Sequence, residues 1–148
     1  MDNILLSHET DSWYTPKSFL DKLIQEFGQF DDDPALKTKN INWSDDGLFK
    51  RWDKKVFCNP PYSSLEKWCA KAYQEFMKGS FIVLLIPSRT DTKAWHNYCM
   101  KAQEIRFIKG RIVFINGKTG EPSETPSTFP SCLVIFDPSK KEQELKIK

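Results

Sequence analysis

The chain has 148 residues, a formal net charge of +2 and a hydrophobic fraction of 39%. This length suits one domain around a single core, and the composition excludes a disordered or fibrous chain. The mild positive charge permits a nucleic-acid partner without requiring one. The longest apolar run, 81–86, is too short to cross a bilayer, and residues 1–13 lack the features of a signal peptide. We therefore expect a cytoplasmic protein with no membrane segment.

The cysteine pattern argues against a zinc-binding protein and against a disulfide-stabilised protein. The four cysteines form no CxxC pair, and only two histidines are present in the whole chain. This pattern suits neither a zinc site nor a disulfide framework. We expect reduced, mostly buried thiols and no bound metal.

The first element in chain order is a helix. Thr15 and Pro16 have the pattern of an N-cap and a first helical position, and apolar residues then recur at helical spacing as far as Gly28. The stretch 29–35, "QFDDDPA", fits a short strand that ends in acidic residues and proline. The polar segment 36–53 predicts no clear element.

The middle of the chain alternates strand and helix. Lys55–Cys58 predicts a buried strand, and Ser63 with Glu66 forms a capping-box pattern that opens a helix closed by Gly79. The run "FIVLLIP", 81–87, is typical of a strand covered on both faces.

A third helix over 90–101 and strand-like pieces at 104–108, 111–115 and 131–137 complete the pattern. The sequence thus predicts an α/β fold with a doubly wound, mainly parallel sheet and a strand-rich carboxyl-terminal part. Ligands of such sheets bind at the carboxyl ends of the strands.

The predicted organisation is an arm over 1–12, one domain over 13–138 and a basic tail over 139–148, which we expect to be frayed. The segment 116–128, rich in Gly, Pro, Ser and Thr, is a loop long enough to be functional or mobile.

The motif "NPPY", Asn59 to Tyr62, directly follows a predicted strand. Prolines cannot donate to a sheet ladder, so Pro60 and Pro61 should end the strand and leave carbonyl acceptors. The Asn59 amide oxygen and the Pro60 carbonyl can then accept both hydrogens of a planar amino group, while Tyr62 offers a ring for stacking. Such bonds favour a pyramidal nitrogen with a localised lone pair, which can attack a methyl donor. The alternative is an ordinary surface turn.

Further motifs accompany this corner: "WYTP" (13–16), "FDDDPA" (30–35), "DGLFKRW" (46–52), "NPPYS" (59–63), a strand ending at Pro87 and a Gly-Arg-x-x-Phe element (110–114). In these motifs the sequence resembles the amino-methyltransferases that use S-adenosylmethionine, and most closely the phage-encoded DNA N6-adenine methyltransferase (Dam) family. The resemblance spans about 13–136 and implies a single, compact, Rossmann-like class I methyltransferase domain.

The resemblance also implies the roles of named residues. The catalytic set is Asn59, Pro60, Pro61 and Tyr62. The residues expected to bind S-adenosylmethionine are Trp13, Thr15, Pro16, Asp33, Pro34, Ala35, Asp46 and Asn59. The chain departs from the wider pattern because "LKTKN" stands where a Gly-x-Gly loop should follow "DPA", and Asp32 stands where an apolar strand residue is expected. Asn40 and Asp46 are candidates to replace part of that loop.

DNA is the partner that the resemblance implies. An adenine in a duplex must be flipped out for chemistry on its amino group, and phosphate contacts must hold the flanking strand. The candidates for those contacts are Arg89, Lys93, Lys109, Arg111 and Lys118, with Arg111 first. No segment after Asn59 is large enough for a separate recognition domain, so either 116–128 reads bases or specificity is slight.

Two other interpretations remain open at this point. The same motif serves other planar amino groups, namely cytosine N4, RNA adenine or a glutamine side chain. Alternatively, the chain is a non-catalytic nucleic-acid-binding relative that has lost the cofactor, which the missing glycine loop permits. The sequence does not determine the oligomeric state.

Overall fold

The computed structural model describes residues 13–38, 47–140 and 146–148. The predicted arm over 1–12, and the candidates Asn40 and Asp46, lie outside the described residues. In chain order the elements are β1 (Trp13–Tyr14), α1 (Lys17–Phe27), α2 (Pro34–Thr38), β2 (Lys55–Cys58), α3 (Leu65–Met77), β3 (Phe81–Pro87), α4 (Lys93–Asn97), β4 (Glu104–Phe107), β5 (Ile115–Asn116), β6 (Ser131–Phe136) and β7 (Lys146–Ile147). Short 3₁₀ turns lie at Tyr62–Ser64, before α3, and at Cys99–Lys101, after α4.

The main sheet has five strands in the order β2, β3, β6, β4 and β7. β2 and β3 are parallel, β6 lies antiparallel between β3 and β4, and β7 is parallel to β4. The predicted α/β class is confirmed. Among these strands only β6 is reversed, so most strands run in one direction, as expected. The pairing of neighbouring strands is nevertheless mixed, because both neighbours of β6 are antiparallel to it. The reversal arises because β6 follows an irregular segment rather than a crossover helix.

The apolar run of β3 is buried on both faces of this sheet. Ile82, Leu84 and Ile86 join the core on the α3 side, whereas Val83 and Leu85 join the core on the α1 side. Successive side chains of a strand point to opposite faces, so a strand covered on both sides must be apolar throughout. The predicted helices on both faces of the sheet are confirmed.

Each face has its own packing partners. Leu23 of α1 packs on one face with Ile112 and Phe114, and Trp68 of α3 and Trp95 of α4 pack on the other. The four cysteines are buried in the α3-side core and form no disulfide, which confirms the expected reduced thiols.

The start of α3 differs from the predicted capping box. Ser64 rather than Ser63 is the N-cap, and it makes no side-chain capping hydrogen bond. The cause is the 3₁₀ turn at Tyr62–Ser64, which lies between the two prolines and the helix. At the other end of α3, Met77 is exposed.

Two further elements are shorter than predicted. The third helix begins only after Thr92, whose side-chain oxygen accepts a hydrogen bond of 3.3 Å from Trp95 N, and it passes into a 3₁₀ turn. Most of 111–115 is not a strand. Its buried residues Ile112 and Phe114 instead accept backbone bonds from Ser127 (2.9 Å) and Ser123 (2.8 Å).

The carboxyl-terminal tail is not frayed over 146–148. Lys146–Ile147 pairs with the open edge of β4, and Lys148 Nζ lies 3.4 Å from the buried carboxylate of Glu104. An unpaired strand edge and a buried acid both require partners, and the tail supplies them.

The strand directions bring the predicted site residues to one edge. β2, β3 and β4 end at the same edge of the sheet, and β6 begins there. Asn59, Arg89 and Lys109 therefore follow strands that end at this edge, and Phe129 lies just before β6. We call it the carboxyl edge.

Candidate active site at the carboxyl edge

The Asn-Pro-Pro-Tyr corner follows β2 directly. The strand ends at Cys58, and Asn59, Pro60 and Pro61 are all buried. Two prolines cannot extend the ladder, so the chain leaves the sheet at this point. The predicted end of the strand is confirmed, and its consequence is a polar amide fixed in an apolar corner.

The side chain of Asn59 is only 2% exposed, and its two polar atoms have different surroundings. Nδ2 donates a hydrogen bond of 3.2 Å to Thr15 Oγ1. Oδ1 is buried and has no hydrogen-bond partner among the described residues. A buried acceptor without a partner costs about 1–3 kcal/mol. Asn59 thus holds an amide oxygen ready to accept a hydrogen bond from a bound molecule.

Thr15 has a different contact from the one predicted. It does not cap α1, because Pro16 occupies the N-cap position without a side-chain bond and the helix begins at Lys17. The Thr15 hydroxyl instead contacts Asn59, which is 44 residues later in the chain. The sequence pattern of a capped helix could not reveal this long-range contact.

Tyr62 belongs to an aromatic cluster beside the corner. Its ring centroid lies 5.0 Å from that of Phe129 and 6.3 Å from that of Phe114, with interplanar angles of 87° and 69°. The guanidinium of Arg89 lies over the Phe129 ring at 5.8 Å. Burial raises the pKa of the Tyr62 hydroxyl well above its ordinary value, and the charge of Arg89 opposes this rise. The Tyr62 phenol is therefore neutral at physiological pH.

Sequence reasoning missed Phe129. The signal that was present is an aromatic residue directly before Pro130, at the start of the apolar run of β6. In the sequence Phe114 stands out only as the end of the Gly-Arg-x-x-Phe element. The structure brings both rings to Tyr62 because the backbone of 112–114 pairs with that of 123–127.

The "DPA" element reaches the same edge of the sheet. Asp32 forms a parallel bridge with Val56 of β2, so the residues after Asp32 run alongside those that lead to Asn59. Asp33 precedes α2, and its Oδ1 accepts a bond of 3.3 Å from Leu36 N. The Asp32 carboxylate, in place of an apolar residue, pairs with Lys50 Nζ at 2.7 Å. The predicted short strand over 29–35 is thus reduced to a single bridge.

Gly47 lies against the backbone of Pro34 in the "DPA" element. A Cβ at this position would lie 2.6 Å from the carbonyl oxygen of Pro34 and 2.7 Å from its Cβ, so only glycine fits without movement. Ala35 beside it is fully buried. A later segment of the chain thus packs closely against the "DPA" element, which lacks the expected Gly-x-Gly loop.

The amino-terminal residues are tied to the segment beyond β4. β1 and β5 pair antiparallel, with Trp13 opposite Asn116 and Tyr14 opposite Ile115. Trp13 packs against the α1-side core. The segment 116–128, expected as a loop, begins in a tight turn in which Asn116 N donates to Glu121 O at 2.8 Å.

The predicted nucleic-acid contacts are all exposed: Arg89, Lys93, Lys109, Arg111 and Lys118. Of these, Arg89 joins the Tyr62 cluster through Phe129. Within the described ranges, no group of three metal-ligating side chains is present and no helix is long and apolar enough to cross a membrane.

The fold and the site define an α/β protein whose mixed sheet carries a buried Asn-Pro-Pro-Tyr corner at its carboxyl edge. Residues 3–147 match the family model described as DNA N-6-adenine-methyltransferase (Dam), and the chain belongs to this family. It is also similar to a DNA N-6-adenine-methyltransferase of Escherichia phage T1, with 28% identity over 134 residues. That alignment covers 75% of this chain and 56% of the relative, so the chain spans about half the length of the relative. No solved structure matches the chain.

Proposed function

We propose that this chain is an S-adenosylmethionine-dependent DNA methyltransferase that modifies the exocyclic amine of a flipped-out adenine. The observation that carries the proposal is the buried Oδ1 of Asn59, which has no hydrogen-bond partner among the described residues. A buried acceptor at the carboxyl edge suits an N–H donor from outside the protein. Membership of the Dam family makes adenine N6 the first candidate for that donor.

In the proposed site, Asn59 Oδ1 and the Pro60 carbonyl accept the two hydrogens of the adenine amino group. These bonds localise the nitrogen lone pair and stabilise the positive charge that grows on nitrogen during transfer. Tyr62 provides an aromatic surface for the base, and Phe129 and Phe114 fix the angle of its ring. Because the pKa of Tyr62 is raised by burial, its ring stays uncharged during these contacts.

We place the cofactor between the start of α1 and the start of α2. Thr15 and Pro16 precede α1, whose first backbone N–H groups lack helical partners and suit a carboxylate. Asp33, Pro34 and Ala35 form the other side, where Gly47 keeps the backbones close. Trp13 and Asp46 complete the proposed set. S-adenosylmethionine, when bound, supplies an electrophilic methyl carbon on a sulfonium sulfur, and no metal is required.

The sheet is consistent with a Rossmann-like methyltransferase domain. Strands β2, β3 and β4 share one direction, β6 is inserted in reverse, and helices cover both faces. Arg89 and Arg111, with Lys93, Lys109 and Lys118, are the proposed phosphate contacts. A cytoplasmic location follows for an enzyme that acts on bacterial or phage DNA.

The test is methyl transfer by the purified chain. The chain is incubated with DNA and S-adenosylmethionine labelled in its methyl group, and the DNA is digested to nucleosides. We expect the label in N6-methyladenine. Label in N4-methylcytosine, or only with RNA or protein substrates, would reassign the substrate. Absence of transfer together with absence of heat on titration of the cofactor would favour a non-catalytic nucleic-acid-binding protein.

Asn59→Ala is the matched control. It removes the acceptor while leaving the adjacent backbone unchanged, so turnover should fall by at least about 100-fold, while cofactor affinity stays within a few-fold. Equal turnover in both proteins would exclude Asn59 from the reaction.

A further inference from the structure

The hydrogen bond between Thr15 and Asn59 bears on the orientation of the Asn59 amide as well as on the packing of two segments. An asparagine amide has an acceptor and a donor side of nearly equal shape, and rotation by half a turn exchanges them. In the observed orientation Nδ2 faces Thr15 Oγ1 and Oδ1 is left without a described partner. The rotated amide would instead direct Nδ2 at the incoming amine, where two N–H donors would oppose each other.

The hydrogen bond alone does not choose between these orientations. A threonine hydroxyl can accept from Nδ2, or it can donate its own proton to Oδ1 after the amide rotates. The orientation of the Asn59 amide is fixed only when another acceptor takes the proton of the Thr15 hydroxyl. Thr15 Oγ1 can then only accept a hydrogen bond, so it must face Asn59 Nδ2. Among the described residues no acceptor for that proton is found, and Thr15 is only half-buried, so a molecule bound beside it can supply the second acceptor.

We propose that Thr15 is the positioning residue for Asn59, and that a ligand carboxylate bound at the start of α1 completes the arrangement. The carboxylate accepts the Thr15 proton, Thr15 Oγ1 then accepts only from Asn59 Nδ2, and Oδ1 is held toward the target amine. This inference rests on the proposed function, which supplies the carboxylate in the amino-acid part of the cofactor. Binding of that part therefore prepares the acceptor before the base arrives.

The experiment compares Thr15→Val, which keeps the side-chain shape but removes the hydroxyl, with Thr15→Ser, which keeps the hydroxyl. The first readout is the side-chain amide signal of Asn59 in protein labelled with ¹⁵N-asparagine, assigned by its loss in Asn59→Asp. Saturating S-adenosylhomocysteine should shift this signal in the wild type and in Thr15→Ser but not in Thr15→Val. Methylthioadenosine, which lacks the amino-acid part, should leave it unchanged in all three.

The second readout is turnover at saturating cofactor and DNA. Thr15→Val should lower kcat by about 10- to 100-fold, since a misplaced catalytic group costs about this much, while Thr15→Ser stays within about threefold. The KM for DNA should change less than kcat. A Thr15→Val protein with wild-type kcat, or an equal signal shift with methylthioadenosine, would overturn the inference. If the signals behave as expected but the wild type transfers no methyl group, the proposed function fails while the positioning role stands.

Discussion

The ring of Tyr62 stands nearly perpendicular to that of Phe129, with centroids 5.0 Å apart. Edge-to-face pairs of this kind are favourable, and here Phe129 also carries the guanidinium of Arg89 over its ring at 5.8 Å. The side chain of Tyr62 is thus held by packing rather than by a described hydrogen bond of its hydroxyl. The ring and the hydroxyl should therefore make separable contributions.

Tyr62→Ala and Tyr62→Phe test the ring against the hydroxyl. The alanine variant loses the stacking surface, and base stacking is worth about 1–3 kcal/mol, so kcat/KM for DNA should fall by about 5- to 150-fold. The phenylalanine variant keeps the ring and should stay within about threefold of the wild type. Steady-state kinetics with a single-site DNA duplex measures both. Equal losses in the two variants would indicate a role for the hydroxyl instead.

The raised pKa of Tyr62 also predicts a loss of stability in alkali. Burial raises the folded-state pKa above the ordinary value of 10.0, so the unfolded chain releases the proton first as the pH rises. The stabilising contribution is complete below about pH 10 and is lost as the pH rises from there toward the folded-state pKa. Urea unfolding of wild type and Tyr62→Phe between pH 8 and pH 11 isolates this residue. We expect the phenylalanine variant to lose less stability, and parallel curves would contradict the assignment.

Local sequence patterns predicted the elements that have strong periodicity. The strands Lys55–Cys58 and Phe81–Pro87 and the helix Lys17–Phe27 follow from apolar spacing and from proline and glycine at the ends. Patterns failed where tertiary contacts decide the structure. The tail 146–148 is polar, yet the open edge of β4 takes it as a strand.

The motif of the candidate site could be predicted from the sequence, but the contacts that surround this motif could not. Asn59 and Tyr62 belong to a motif of four adjacent residues, whereas Thr15, Phe129 and Gly47 reach the candidate site through contacts between distant parts of the chain. Gly47 is an example, because its Asp-Gly sequence suggests only a turn. Its closeness to Pro34 depends on how two separate segments meet.

Gly47→Ala tests whether this close approach matters for cofactor binding. The added Cβ would meet the Pro34 backbone, so the free energy of unfolding should fall by about 1–3 kcal/mol, as in other overpacked sites. If Pro34 and Ala35 border the cofactor, affinity for S-adenosylhomocysteine should fall as well, and calorimetry measures it. Gly79→Ala is the control, because it strains a positive φ of 109° in open space at the opposite edge of the sheet. A similar loss of affinity in both variants would indicate a general effect of lower stability.

Arg89 and Arg111 follow strands that end at the carboxyl edge and are exposed. If each contacts one DNA phosphate, its replacement by alanine should weaken binding at low salt. It should also reduce the slope of log K against log salt by about 0.9. Fluorescence anisotropy with labelled duplex at several salt concentrations measures the slope. Lys54→Ala removes an exposed cation before β2, at the opposite edge, and should leave the slope unchanged. An equal change in all three variants would mean that only net charge matters.

Glu75 connects α3 to the segment that carries Gly47. Its carboxylate is fully buried, pairs with Lys71 Nζ at 2.7 Å and with Arg51, and accepts a bond of 3.4 Å from Trp52 N. Trp52 Nε1 in turn donates to Gly47 O at 2.7 Å. Burial raises the pKa of Glu75, but its bonds with Lys71, Arg51 and the Trp52 backbone hold it below the ordinary value. The charged form of Glu75 is therefore part of the folded structure.

Glu75→Gln should lower the free energy of unfolding at pH 7 by about 3 kcal/mol, because the mostly buried Lys71 loses its counter-charge. The lowered folded-state pKa of Glu75 means that this contribution is complete above the unfolded-state pKa of 4.5 and is lost as the pH falls through the folded-state pKa. The difference between wild type and variant should therefore shrink below about pH 4.5, which urea unfolding at pH 3 to 7 measures. Glu66→Gln, on the exposed face of the same helix, should change stability by less than about 0.5 kcal/mol. A pH-independent difference for Glu75→Gln would show that the carboxylate acts through its shape and hydrogen bonds, not through its charge.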